Sequence, residues 1–287
     1  PFSSSVYLAT EAILANGSVE QKEKWLPKLA SGEVIGTFAL AEGSGRPSAD
    51  SLNTRFEAGK LTGKKLPVPD GNIADFAVIV TKSDTGDGAS LALVELNQEA
   101  VIRSSVRTLD FSRGHASIEF KGAEAEILGA DGSGWSAMES LMDRAAVMFA
   151  WEQVGIADAA LEQARDYAMG RYAFGRAIAS YQAIKHKLAD MYVKNTLARS
   201  NCYYGAWALN SDSAELALAA ATARVGAIQA SVNAAQENVQ THGGMGFTWE
   251  FDCQFFYRRA KLLSVNIGSE GFWQDKLITA YEQSNVA

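Results

Sequence analysis

The chain has 287 residues, 47% apolar and 21% charged, with a formal net charge of −7. That is enough for one large domain or two smaller ones around a sizeable core, and the acidic balance argues against a nucleic-acid partner, which requires an accumulated basic face. No apolar run approaches the ~18 residues of a membrane span.

The start, at Pro1 without Met, has no basic segment followed by an apolar stretch and so does not read as a signal peptide. The two cysteines, Cys202 and Cys253, fit neither a disulfide framework nor a metal spacing, so a reducing, cytoplasmic setting is expected.

Residues 1–33 read as helical. Ser18 followed by Gln21 fits a capping box, the run Glu20-Gln21-Lys22-Glu23-Lys24-Trp25-Leu26 follows, and Gly32 stands past the end. Residues 34–128 read as β: Val34 to Leu40, Phe76 to Val80, Leu91 to Val94 and Ala116 to Phe120 are short and rich in β-branched or aromatic residues, with Gly, Asp, Asn and Pro between them. No long helical period interrupts them, so an antiparallel barrel or sandwich is expected. Residues 129–287 turn helical, with long helices from about Ser136 to Gly170, Ser180 to Ser211 and Ser213 to His242. Shorter ones run from Glu250 to Val265 and Glu270 to Ser284. The expected class is α+β: a helical remnant, a middle β domain and an up-and-down four-helix bundle.

Two segments carry chemistry. Gln240-Thr241-His242-Gly243-Gly244-Met245-Gly246 places a glutamine and glycines at a helix exit, where bare backbone can approach a phosphate or ribose. Arg171-Tyr172-Ala173-Phe174-Gly175-Arg176-Ala177-Ile178 is followed by Gln182 and Leu188-Ala189-Asp190-Met191, with a guanidinium fork suited to phosphate oxygens. Together with the Glu20–Pro27 helix, these segments resemble, in order and spacing, the acyl-CoA dehydrogenase family. The resemblance implies FAD, held at a subunit interface. It also implies that Arg171, Ala173, Phe174, Gln182, Gln240, Thr241, Gly243 and Gly244 contact the cofactor of a neighbouring subunit.

Departures from the family pattern cluster elsewhere. Where the family has A-L-T-E-P-x-A-G-S-D, this chain has Ala39-Leu40-Ala41-Glu42, and Arg46-Pro47 replaces the Gly-Ser pair. Where the family has G-x-K-x-W-I-[ST]-N, it has Gly63-Lys64-Lys65-Leu66-Pro67-Val68-Pro69-Asp70, and proline offers neither a hydroxyl nor an N–H. Ile267 stands where the catalytic glutamate is usual, and an apolar side chain cannot take the α-proton of a thioester. Asp143, in Leu141-Met142-Asp143-Arg144, is the candidate for an alternative base, against a plain surface or interface carboxylate; Glu270 ranks below it. His115, His186 and His242 form no metal or triad pattern.

The donated half of a shared flavin site is kept and the receiving half lost. The resemblance therefore implies a subunit of a heteromeric, α₂β₂, steroid side-chain type acyl-CoA dehydrogenase, whose partner carries the base, the substrate and the flavin ring and passes electrons to an acceptor. The alternatives are a homomeric enzyme using Asp143 and a flavin-free scaffold. Family members carry further helices ahead of this point, so the chain also reads as part of a longer product.

Overall fold

The computed structural model describes residues 1–83 and 88–286. The chain divides into two compact units, Pro1–Ala145 and Ala146–Ala287.

The first unit opens with a π-helical segment, Ser3–Thr10, then α1 (Glu11–Asn16) and α2 (Val19–Ser31). The capping box forms: Gln21 N–H donates to Ser18 Oγ at 3.2 Å and Ser18 N–H to Gln21 Oε1 at 3.1 Å. Gly32 closes the helix at φ 75°, a left-handed value that suits glycine. Gln21 also donates to the Ile127 carbonyl, tying the helix to the sheet. The buried Trp25 ring lies 4.3 Å from that of Phe76. Truncating Trp25 to alanine is expected to cost about 3–5 kcal/mol of folding stability, read as a lower denaturant midpoint at unchanged slope.

Seven strands follow: β1 (Gly36–Ala39), β2 (Arg55–Glu57), β3 (Lys60–Pro69), β4 (Phe76–Lys82), β5 (Ala89–Glu95), β6 (Val101–Val106) and β7 (His115–Leu128). Strands β4, β2, β3, β7 and β5 form a ring that closes through the β4–β5 pairing, with β1 on β4 and β6 on β7. The purely antiparallel barrel expected from the sequence is corrected: β1 and β2 both run parallel to β4. Alternation of apolar residues records which face of a strand is buried but not which way the strand runs. The long excursions between β1 and β4 make the parallel crossover possible. Phe56, Leu61, Val68, Ile79, Val94 and Phe120 form the barrel core.

The second unit takes most of α3 (Gly134–Gly170), then a two-stranded hairpin of β8 (Tyr172–Ala173) and β9 (Arg176–Ala177), α4 (Gln182–Asn210), α5 (Leu216–His242), α6 (Cys253–Leu263) and α7 (Glu270–Val286). Side-chain registers fix the directions. Gly205 faces Val147 while Asn195 meets Asp158, so α3 and α4 are antiparallel. Gln153 meets Ser231 and Gln163 meets Asn238, so α3 and α5 run together. Alanines at 150, 157, 160, 164, 223, 227, 230 and 234 line the shared core, allowing close helix approach. No helix among the described residues is long and apolar enough to cross a membrane.

Candidate functional site

Arg171 N–H still bonds to the Tyr167 carbonyl at 2.9 Å, and the chain then turns into the β8–β9 hairpin. Phe174 (φ 53°) and Gly175 (φ 81°) are its two tip residues. Consecutive positive φ values are the mark of a type I′ turn, matched to the twist of paired strands, and glycine is at home there. A phenylalanine is not, and it is 97% exposed. The hairpin nevertheless has a fixed base. Tyr181 Oη donates to the Ala173 carbonyl at 2.9 Å, and the Arg176 guanidinium lies 3.9 Å from the Tyr181 ring centroid. Gln182, exposed, opens α4 immediately afterwards.

At the far end of α5, Gln240 is exposed while Thr241 turns inward, its hydroxyl donating to the Glu237 carbonyl at 2.7 Å. His242 is buried and stacked on Tyr167 at 4.0 Å, with Phe251 edge-on at 5.4 Å. Its Nδ1 faces the Asn238 carbonyl at 2.9 Å, so that nitrogen carries the proton. Burial lowers the imidazole pKa, the hydrogen bond opposing it, and the ring is neutral at physiological pH. Gly243 then takes φ 59° and ψ −135°, a combination essentially closed to residues with a Cβ. Gly243 and Gly244 both open onto free space, leaving their backbone accessible to a ligand.

These two segments meet. The Tyr167–His242 stack joins the end of α3 to the end of α5. Lys187 Nζ reaches Glu237 Oε2 at 2.6 Å, joining the start of α4 to the same place. Arg171, Phe174, Gln182, Gln240, Gly243 and Gly244 thus gather at one end of the helical unit. Ile267 does not join them. It lies in the turn between α6 and α7, fastened at the level of Arg224, 16 positions before Gln240 and so about 24 Å away along α5.

That turn holds what the sequence reading passed over. Arg224 is fully buried; Nη1 donates to Gln153 Oε1, and Nη2 to the Leu263 carbonyl and, at 2.7 Å, to Asn266 Oδ1. Burial brings its pKa down to about 9, partly opposed by the charge of Glu152, so it remains a cation at neutral pH. The available signal was one arginine among the alanines at 219–221, 223 and 227. Glu270 is engaged by Gln229 at 2.8 Å and Gln274 at 3.1 Å. Asp143 is buried on α3, not a surface carboxylate.

In the β unit, the Leu66–Asp70 segment is turned to internal use. Leu66 N–H donates to the Ala41 carbonyl and Asp70 N–H to that of Gly114, both at 2.8 Å, while Pro67 and Pro69 have no N–H. The Pro69 carbonyl accepts from Thr37 Oγ1 at 2.6 Å. The Asp70 carboxylate accepts from Ser4 Oγ at 2.6 Å and Arg113 Nε at 3.1 Å, in a buried network. Next to it, Lys65 Nζ meets Glu42 Oε1 at 2.8 Å and the Leu40 carbonyl at 3.0 Å. No group of three potential metal ligands occurs among the described residues.

The fold is one of helical parts with a mixed barrel. The family model "Acyl-CoA dehydrogenase, C-terminal domain" matches residues 132–278, and "Acyl-CoA dehydrogenase, N-terminal domain" matches 2–33. An acyl-CoA dehydrogenase of Bacillus subtilis is 34% identical over 274 residues, covering 91% of this chain and 72% of the relative. Butyryl-CoA dehydrogenase from Megasphaera elsdenii superposes with a TM-score of 0.91 at 25% identity, over 97% of this chain and 76% of that one. A Tcur3481-Tcur3483 steroid ACAD variant shares the fold with a TM-score of 0.88 at 23% identity, over 100% and 77%. The chain belongs to the acyl-CoA dehydrogenase family of oxidoreductases, which implies FAD. At the helical end, the exposed Arg171 and the open backbone of Gly243 and Gly244 are chemically suited to a nucleotide diphosphate. The N–H groups of Leu66 and Asp70 are already engaged within the barrel.

Proposed function

We propose that this chain is the FAD-completing, non-catalytic subunit of a heteromeric, α₂β₂ acyl-CoA dehydrogenase that introduces an α,β double bond into an acyl-CoA thioester. A partner subunit of the same family supplies the base, binds most of the substrate and passes electrons to an acceptor. The observation that carries this is the asymmetry between the two halves of a flavin site within one chain. Arg171, Ala173, Phe174, Gln182, Gln240, Thr241, Gly243 and Gly244 lie on or beside an exposed helical end. Leu66–Asp70 is spent on Ala41, Thr37, Gly114, Ser4 and Arg113, and Ile267 cannot accept a proton. A steroid side-chain thioester is the substrate class we favour, on resemblance, and the setting is cytoplasmic. The same reading divides the chain into 1–33, 34–128 and 129–287, the last an up-and-down four-helix bundle.

When bound, FAD accepts the β-hydride while a carboxylate removes the α-proton. This chain's part is to hold the nucleotide: Arg171 offers a fork to diphosphate oxygens, and Gly243 and Gly244 let backbone come close. Flavin stoichiometry tests the reading. FAD appearing only in the complex, at about one per unlike pair, supports it. A chain that is yellow alone at one FAD per subunit sinks it and makes Asp143→Asn the decisive variant, while a colourless complex points to a scaffold. In the complex, Arg171→Ala is expected to raise the FAD Kd about 10- to 100-fold, measured by flavin fluorescence.

A further inference from the structure

We infer that Arg176 is a second diphosphate ligand, presented beside Arg171 by the ring of Tyr181. The inference rests on the FAD reading above and adds to it a residue and a specificity for a doubly charged group.

The hairpin ladder brings the two arginines onto one face. Arg176 is paired with Ala173, and Ile178 N–H donates to the Arg171 carbonyl at 2.8 Å. Positions 171, 173 and 176 therefore alternate onto the same side of the ribbon. Neither guanidinium forms an ion pair with a described carboxylate, whereas the neighbouring Arg165 is matched to Asp166 at 2.8 Å. In a chain of net charge −7, two cations left unmatched on one short hairpin call for an anionic ligand.

Tyr181 makes Arg176 more than a surface charge. Its ring fixes the guanidinium plane at 3.9 Å, and its hydroxyl is tied to the Ala173 carbonyl of the same hairpin. A stacked guanidinium loses rotamer freedom but keeps its N–H edge for acceptors in its plane. Two such forks match the oxygens of two linked phosphates, while a single carboxylate is served by one.

The test titrates FAD into the apo-complex of this chain with its partner, followed by flavin fluorescence at several salt concentrations, with ADP as competitor. Arg176→Gln is expected to raise the FAD Kd about tenfold, to flatten its salt dependence and to weaken competition by ADP. Arg176→Lys falls between. Tyr181→Phe keeps the ring and leaves the salt dependence unchanged, while Tyr181→Leu moves towards Arg176→Gln. Arg176 is exposed, so these variants keep the fold, and circular dichroism checks it. The inference is overturned if Arg176→Gln leaves Kd and salt dependence as in wild type, or if only subunit association weakens, which would make Arg176 a contact for a partner carboxylate. Wild-type complex that binds no FAD overturns the FAD reading itself, and this inference with it.

Discussion

Replacing Arg224 with methionine is expected to lower folding stability by about 3–5 kcal/mol, measured by denaturant unfolding with an unchanged slope. The size follows from what is left behind. Gln153, the Leu263 carbonyl and Asn266 each lose a charged donor, the first two inside the fold. Buried acceptors without donors carry their full desolvation cost. Arg224→Lys is expected to recover only part of it, because one ammonium cannot reproduce a fork spanning α3 and the α6–α7 turn. Hydrogen exchange of the amides at 265–268 should accelerate more than that of the hairpin, since the clamp is local to the turn. Equal exchange at both sites would contradict that assignment.

Glu42→Gln is expected to cost a similar amount at pH 7, and its cost should shrink with acid. Lys65 is fully buried, and Glu42 is its only ionised partner in the described contacts. Burial would raise the Glu42 pKa, but the hydrogen bond and charge of Lys65, with help from Thr54, outweigh it and hold it at about 2. A folded value below the unfolded 4.5 means that the pair's stability is present above pH 4.5 and lost as pH falls towards 2. The gap between wild type and Glu42→Gln should therefore be widest above pH 5, shrink below pH 4.5 and close only at about pH 2. Lys65 shifts the same way: burial, opposed by Glu42, brings its pKa down to about 8. The unfolded chain then binds more protons between pH 8 and 10.5, so this group makes stability rise across that window. Denaturant midpoints across pH check both; a gap independent of pH would refute the assignment to Glu42.

Much of the helical structure was legible because its signals are local. The capping box at Ser18, the glycines at 243–244 and the helices near 136–170, 180–211 and 213–242 depend on neighbours within a few residues, and the structure places elements close to those bounds. The motif residues Arg171, Phe174, Gln182 and Gln240 were likewise readable, although only folding showed that they gather at one end through the Tyr167–His242 stack and the Lys187–Glu237 pair. The first helical stretch was read as helix, but its π-helical winding over Ser3–Thr10 was not foreseen.

What the sequence determined by itself was the inventory: the long helices, a β-rich middle, a family motif carrying Arg171 and an apolar Ile267 where a carboxylate was expected. Tertiary structure alone decided that β1 and β2 run parallel to β4, that Asp143 is buried, and that Asp70 is occupied by Ser4 and Arg113. It also decided that a lone arginine in an alanine-rich helix clamps a turn about 40 residues further on. The reason is physical. Backbone propensity and capping are set by the nearest few residues, whereas strand direction and the choice of partner for a buried charge are settled by which distant groups the closed fold brings within hydrogen-bond reach.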